Sequence, residues 1–183
     1  MQRSEALRLV KEKVKNRNLI KHMLAVEAVM RALACRLGED EELWGLAGLL
    51  HDIDYDQTKD DPERHSLIGA RILEELGVDP RIVYAVKVHN EVHGLPRESL
   101  LDKALYAVDP LTGLIVAAAL IRPEKKLGVV DADFVLHRFK EKGFARGASR
   151  DQMRTCEELG LSLEEFVAIG LEAMKGIAGE LGL

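Results

Sequence analysis

The sequence predicts an all-α fold, and three observations lead there. Nearly every segment repeats its apolar residues at helical rather than alternating spacing. Asp-Pro pairs, Ser-x-x-Asp/Glu sequences and single glycines punctuate those segments as helix starts and stops. The one strand-like stretch, Leu127-Gly-Val-Val130, is too brief to found a sheet. The chain of 183 residues has room for one domain of ordinary size. Residues 1–125 are expected to form its main helical part. Residues 126–183 are expected to add C-terminal helices, packed on that part or continuous with it.

The elements follow in order. The opening MQRSEALRLVKEK is amphipathic and charged, unlike a signal peptide. Leu19, Ile20, Met23, Leu24, Val26, Val29, Leu33 and Leu37 share one broad helical face, and Gly38 is the stop. Asp40 is placed to cap a second helix running to Leu50. Asp61-Pro62 reads as a helix start with Pro at the first helical position; the helix runs through Leu67, Ile68, Ile72, Leu73 and Leu76 to Gly77. Asp79-Pro80 repeats the device for Arg81 to His89. Ser99-Leu-Leu-Asp102 forms a capping box opening a helix towards Val108, and Asp109-Pro110 restarts or kinks it. Asp133 to Lys142 reads as a helix ended by Gly143, and Phe144 to Ser149 as a loop. Ser162-Leu-Glu-Glu165 is a second capping box, opening the C-terminal helix.

Composition excludes several function classes. Apolar residues are 47% and charged residues 31%, a globular balance, and aromatics at 4% leave the core to Leu, Val, Ile and Ala. Twenty-six basic against 31 acidic side chains give a net charge of −5, which disfavours general nucleic-acid binding. The longest apolar run, Leu111 to Ile121, is about half the length that spans a bilayer. Cys35 and Cys156 are too few for a disulfide framework and suit a reducing, cytoplasmic setting; Cys35 is expected to be a small buried apolar residue.

The chemistry lies in six histidines and a few aspartates. His51 and Asp52 sit side by side at the end of an apolar run, where buried charge needs a partner. His22 lies on or near the buried face of the preceding helix, and Asp109 ends another apolar helix. Taken singly, each has a plain explanation: a satisfied core histidine, a helix-boundary aspartate, a histidine at a helix C-terminus. Jointly, two imidazoles and two carboxylates make a ligand mixture suited to a divalent metal such as Fe, Mn, Co, Ni or Zn.

The order His22, His51-Asp52, Asp109 resembles the signature of the HD-domain superfamily of metal-dependent phosphohydrolases, over about Leu19 to Ile121. The resemblance implies an all-helical domain that hydrolyses phosphate esters with one metal on His22, His51, Asp52 and Asp109. Two-metal subfamilies, among them the HDIG and HD-GYP types and the symmetrical diadenosine tetraphosphate hydrolases, insert histidines before the last Asp. His65 and His89 match those positions, and the resemblance then implies a second ion on Asp52, His65 and His89, with Asp52 between the two. His93, one turn beyond His89, has an open role, and His137, among charged neighbours, reads as surface. Many relatives continue the dipeptide with Ile-Gly-Lys, where this chain has Ile53-Asp54-Tyr55-Asp56. Phosphate recognition is therefore expected from Arg122, Lys125 and Lys126, with Lys87 a weaker candidate. Of Asp54, Asp56, Asp60 and Asp61, one is a candidate for acid–base work or for orienting water; the alternative is a solvated loop in which Asp61 caps its helix.

The expected function is metal-dependent hydrolysis of a phosphate ester or anhydride, a nucleotide or dinucleotide foremost, by metal-activated water at Asp52. The cofactor is one or two divalent ions, with Mg also open, and the partner a small phosphate ester. The competing readings are a nucleotide-sensing module without turnover and a helical bundle with incidental histidines.

Overall fold

The computed structural model describes all 183 residues, and they are helical throughout with no strand. In chain order the helices are α1 (Arg3–Lys13), α2 (Arg17–Leu37), α3 (Glu41–Leu50), α4 (Tyr55–Thr58), α5 (Leu67–Glu75), α6 (Pro80–Val88), α7 (Leu100–Leu120), α8 (Ala132–Phe139), α9 (Arg150–Arg154), α10 (Leu163–Gly176) and α11 (Ala178–Leu181). Short 3₁₀ turns occupy Glu91–His93, Leu127–Val129 and Thr155–Leu159.

α2 and α3 form an antiparallel hairpin. Gly38 closes α2 at φ 73°, a backbone conformation that costs glycine little, and the Asp40 carboxylate accepts from the Leu43 N–H to start α3. The two helices then touch backbone to backbone, because a Cβ on Gly48 would stand 2.9 Å from the Glu27 nitrogen. That approach brings the end of α3 against the first turns of α2, and so His51 against His22. Glu27, 3% exposed, is neutralised by Arg3 at 2.6 Å and Arg31 at 3.2 Å, which fastens α1 to the hairpin.

α7 runs through the centre, in contact with α2, α6, α8, α9 and α10. It is one unbroken helix through Pro110, rather than two pieces. Proline has no N–H for the carbonyl of Tyr106, and that carbonyl instead accepts from Gln152 Nε2 at 3.3 Å. The tertiary bond supplies what the proline removes and ties α9 to α7. At 21 residues α7 is also long and apolar enough to cross a membrane, beyond what the run from Leu111 suggests; here its apolar sides are spent on the core. That core is continuous from Ala6 in α1 to Leu181 in α11, and Leu127, Phe139, Phe166 and Met174 belong to it.

Four local expectations need correction. The helix after Asp61-Pro62 begins at Leu67, because Pro62–Ser66 is spent on turns that end at Ser66 with φ 70°. The helix expected over Asp133–Lys142 is α8, starting from the Asp131 cap and ending at Phe139. Ser162 caps α10 without the return arm of a capping box, since Glu165 receives Arg36 at 2.7 Å. Cys35 faces solvent, on the side of α2 away from the core, whereas Cys156 is buried.

Candidate metal centre

Four histidines and two aspartates converge where α2, α3, α5, α6 and α7 meet. His22 comes from the second turn of α2, His51 and Asp52 from the end of α3, and His65 from the turn before α5. His89 caps α6, and Asp109 lies midway along α7. His51 and His89 are buried, as is Asp52 at 7% exposure; His22, His65 and Asp109 line the open side.

The Asp52 carboxylate divides the cluster into halves. Its Oδ2 faces His51 Nε2 at 3.4 Å and His22 Nε2 at 3.7 Å. Asp109 Oδ1 completes that half, 3.1 Å from His22 Nε2 and 3.9 Å from His51 Nε2. Asp52 Oδ1 faces the other way, towards His65 Nε2 at 3.4 Å and His89 Nε2 at 3.5 Å.

Each ring is aimed by a bond on its far nitrogen. His51 Nδ1 donates to the Gly48 carbonyl at 2.8 Å, and His89 Nδ1 to the Val86 carbonyl at 2.6 Å. His65 Nδ1 donates to Asp54 Oδ1 at 3.0 Å. The Thr112 hydroxyl donates to the Asp109 carbonyl and so accepts from His22 Nδ1 at 3.1 Å. With the protons on Nδ1, all four Nε2 lone pairs point inward, the usual outer-shell arrangement of metal-ligating histidines.

The donors fit a cation. His89 Nε2 is buried with no hydrogen-bond partner, and His22 Nε2 and His51 Nε2 face each other at 3.2 Å. Two lone pairs that close repel, and a cation among these atoms removes the conflict. His22, His51 and Asp109, and likewise His51, Asp52 and His89, are spaced to share one. The mixture of imidazole and carboxylate selects a divalent metal without fixing which.

Protonation follows the same geometry. Burial pushes His51 down to about 4, against the pull of Asp52 and Asp109, so it is a neutral ligand at pH 7. Burial alone would also depress His22 and His89, but Asp109 and Asp52 lift them above the ordinary histidine value. Asp52 and Asp109 resist the upward push of burial and stay below the usual carboxylate range, held there chiefly by His51 and His22 respectively.

The structure therefore gathers His22, His51, Asp52, His65, His89 and Asp109. His93 turns its Nε2 to the His65 carbonyl at 2.8 Å and holds that turn, joined by Asn90, which donates to the Pro62 carbonyl. His137 is exposed. Arg122, Lys125 and Lys126 are not brought to the cluster: α7 carries the chain about 20 Å beyond Asp109 before Arg122. There the Arg122 guanidinium lies 5.2 Å from the centre of the Phe134 ring. Lys87 is exposed on α6. The acidic loop also differs from a solvated one. Asp54 is 0% exposed and orients His65, Asp56 accepts from the Asn16 N–H, and only Asp60 stays free in solvent. Asp61 accepts through its carbonyl from Arg64 and His65, closing a turn rather than capping a helix. Sequence reasoning missed Thr112, whose place one turn after Asp109 was the available signal. Asp54 stood among the four candidate aspartates, but nothing in the sequence singled it out or gave it the task of orienting His65.

Residues 19–120 match the family model described as HD domain. Among curated proteins, the chain is 33% identical over 98 residues to Ribonuclease Y of Oleidesulfovibrio alaskensis, covering 54% of this chain and 18% of that protein. It is 31% identical over 140 residues to Ribonuclease Y of Desulfotalea psychrophila, with 73% and 26% covered. To Ribonuclease Y of Syntrophobacter fumaroxidans it is 28% identical over 170 residues, with 90% and 32% covered. The matched part is thus between about a fifth and a third of each relative's length. No solved structure matches the chain.

Proposed function

The chain belongs to the HD-domain family, and on that premise we propose that it hydrolyses the phosphate ester or anhydride of a nucleotide-like small molecule with two divalent cations. The observation that carries the reading is the Asp52 carboxylate, whose two oxygens face two separate ligand sets. His22, His51, Asp52 and Asp109 would hold one ion, and Asp52, His65 and His89 the other. Such ions supply Lewis acidity: they acidify water and neutralise charge on phosphoryl oxygens.

The protein's own groups prepare the rest. Of the first set, neutral His51 and ionised Asp52 and Asp109 need no proton removed at pH 7, whereas His22, with its raised pKa, gives up its proton where it carries one. His65 and His89 bring two imidazoles to Asp52 Oδ1, three donors that would leave an ion held there with positions to fill from a phosphoryl oxygen. His22 also borders a cavity of about 440 Å³ whose walls include Ala25, Val116 and Leu120, with Asn18 and Lys21 at its edge. That mixture of apolar wall and few polar groups suits the organic part of a small ester.

A second reading, phosphodiester cleavage in RNA, is favoured by the Ribonuclease Y relatives and opposed by the net charge of −5. One panel separates the two: mononucleotides, dinucleoside polyphosphates and short RNA, offered to the Mn-loaded chain and to Asp52→Ala. Turnover of the small esters, lost by roughly 10³-fold together with both metal equivalents in Asp52→Ala, supports the proposal. Cleavage of RNA alone moves the assignment to the second reading. Full hydrolysis by a metal-free Asp52→Ala protein overturns both.

A further inference from the structure

Beside His22 and Asp109 lies an open cavity of about 370 Å³, also bordered by the loop between α8 and α9. Its walls are His22, Asp109, Pro110 and Gly113 on the helix side, and Ala145, Arg146, Gly147 and Ala148 on the loop side. Arg146 is the one basic side chain in that lining besides the imidazole. We propose that Arg146 binds the substrate's phosphate, gripping oxygens that the metal ions leave free. This rests on the hydrolase reading for its substrate, while its anion-binding part stands alone.

Two observations show that the loop is built to present this residue. The first is Arg150, half-buried at the start of α9. Its Nε donates to the Phe139 carbonyl at 3.1 Å, and Nη1 donates to Ala145 at 2.9 Å and Ala148 at 2.7 Å. Its Nη2 reaches the carbonyls of Phe144 at 2.6 Å, Glu141 at 3.2 Å and Arg138 at 3.3 Å. One guanidinium so gathers six carbonyls from both limbs of the loop, fixing its shape while its own donors are spent. The second is Ala145, which holds φ at 45°, a strained value for a residue with a Cβ. The turn it makes puts the next residue, Arg146, over the cavity, exposed.

The chemistry matches the place. A phosphate beside the Asp52–Asp109 carboxylates needs positive charge on its outer face as well as at the metals. A guanidinium presents a planar pair of donors to two phosphate oxygens, with more directional grip than an ammonium. Of the basic residues that sequence alone suggested for this task, Arg122, Lys125 and Lys126 follow the far end of α7, and Lys87 is exposed on α6.

The test titrates inorganic phosphate by calorimetry into the full Mn-loaded chain, its Arg146→Ala and Arg146→Lys variants, and Lys142→Ala. Lys142→Ala removes the same charge from the same loop without touching the cavity wall. The expected result is phosphate affinity weakened at least tenfold in Arg146→Ala and partly restored in Arg146→Lys. Lys142→Ala and the Mn stoichiometry of all four proteins stay unchanged. Equal phosphate affinity in wild type and Arg146→Ala overturns the proposal, as does absence of phosphate binding to the wild type. Arg146-dependent phosphate binding without any ester turnover leaves this inference standing and removes the hydrolase reading alone.

Discussion

Asp54 is the residue on which the second half of the cluster depends, although none of its atoms faces the centre. Its Oδ1 receives the His65 Nδ1–H, and its Oδ2 receives the Gly69 N–H at 2.8 Å, so both oxygens must be acceptors. A side-chain amide in its place would offer one acceptor and one donor. Aimed at His65, the donor forces the ring proton onto Nε2, where it blocks the lone pair; aimed at Gly69, it meets another N–H. Asp54→Asn is therefore expected to weaken the ion on Asp52, His65 and His89 by about 10–100-fold and to spare the ion on His22, His51 and Asp109. Metal titration followed by elemental analysis checks this: a fall from two equivalents to one is the expected result, and two retained equivalents refute it. Of the six inward-facing residues, His51 and Asp52 were legible because such types are costly to bury at the end of an apolar helix. His22 and Asp109 were legible because they complete a metal-ligand mixture with that pair, and His65 and His89 through the resemblance to the HD-domain pattern. Asp54 was legible only as one of four candidate aspartates and Arg146 not at all, because their roles come from turns around Ser66 and Ala145, non-glycine residues at positive φ that no composition signal marks.

At the scale of elements, the cluster exists because α3 lies directly on α2. Gly48 makes that possible, and what a Cβ there would strike is backbone: the nitrogen and Cα of Glu27 and the carbonyl carbon of Val26, at 2.9 to 3.0 Å. Backbone in a helix cannot swing aside, so Gly48→Ala must part the hairpin and separate His51 from His22. A loss of about 1–3 kcal/mol in urea unfolding, with weakened metal binding, is expected. Gly170 is the contrast: a Cβ there meets the Leu111 Cδ2 at 2.7 Å, the far end of a side chain that can rotate. Gly170→Ala is expected to cost less and to leave metal binding intact; equal effects at the two sites would refute the backbone argument. Helix starts were readable where a capping residue opens a clear apolar helical pattern, as Asp40, Asp79, Ser99 and Ser162 show, whereas the Asp131 cap of α8 went unread. They failed where the bond is tertiary: Pro110 does not break α7 because Gln152 serves the Tyr106 carbonyl, and nothing local to Pro110 announces it.

Across the whole molecule, an aliphatic core surrounds carboxylates held ionised at its edge, which a bound cation would neutralise. Such binding belongs to the folded state alone, because the ligands come from separate helices and from the turn between α4 and α5. Metal at about 100 to 1,000 times its Kd then stabilises the fold by roughly 2.7–4.1 kcal/mol. For a chain of this length, chelation should lower Tm by roughly 5–15 °C at pH 7.5. The gap must narrow as pH falls, and the sign follows from the histidines. In the metal-free fold, His22 and His89 have raised pKa values, so they take up protons, and are stabilised by them, from above the ordinary histidine range downward. Those protons compete for the same Nε2 lone pairs as the metal. His51, near 4, stays neutral above pH 5 in both folded forms and cancels in the difference. Calorimetric scans with Mn and with chelator should therefore diverge at pH 7.5 and converge towards pH 5. A gap that stays constant over that range would mean that these imidazoles are not the ligands.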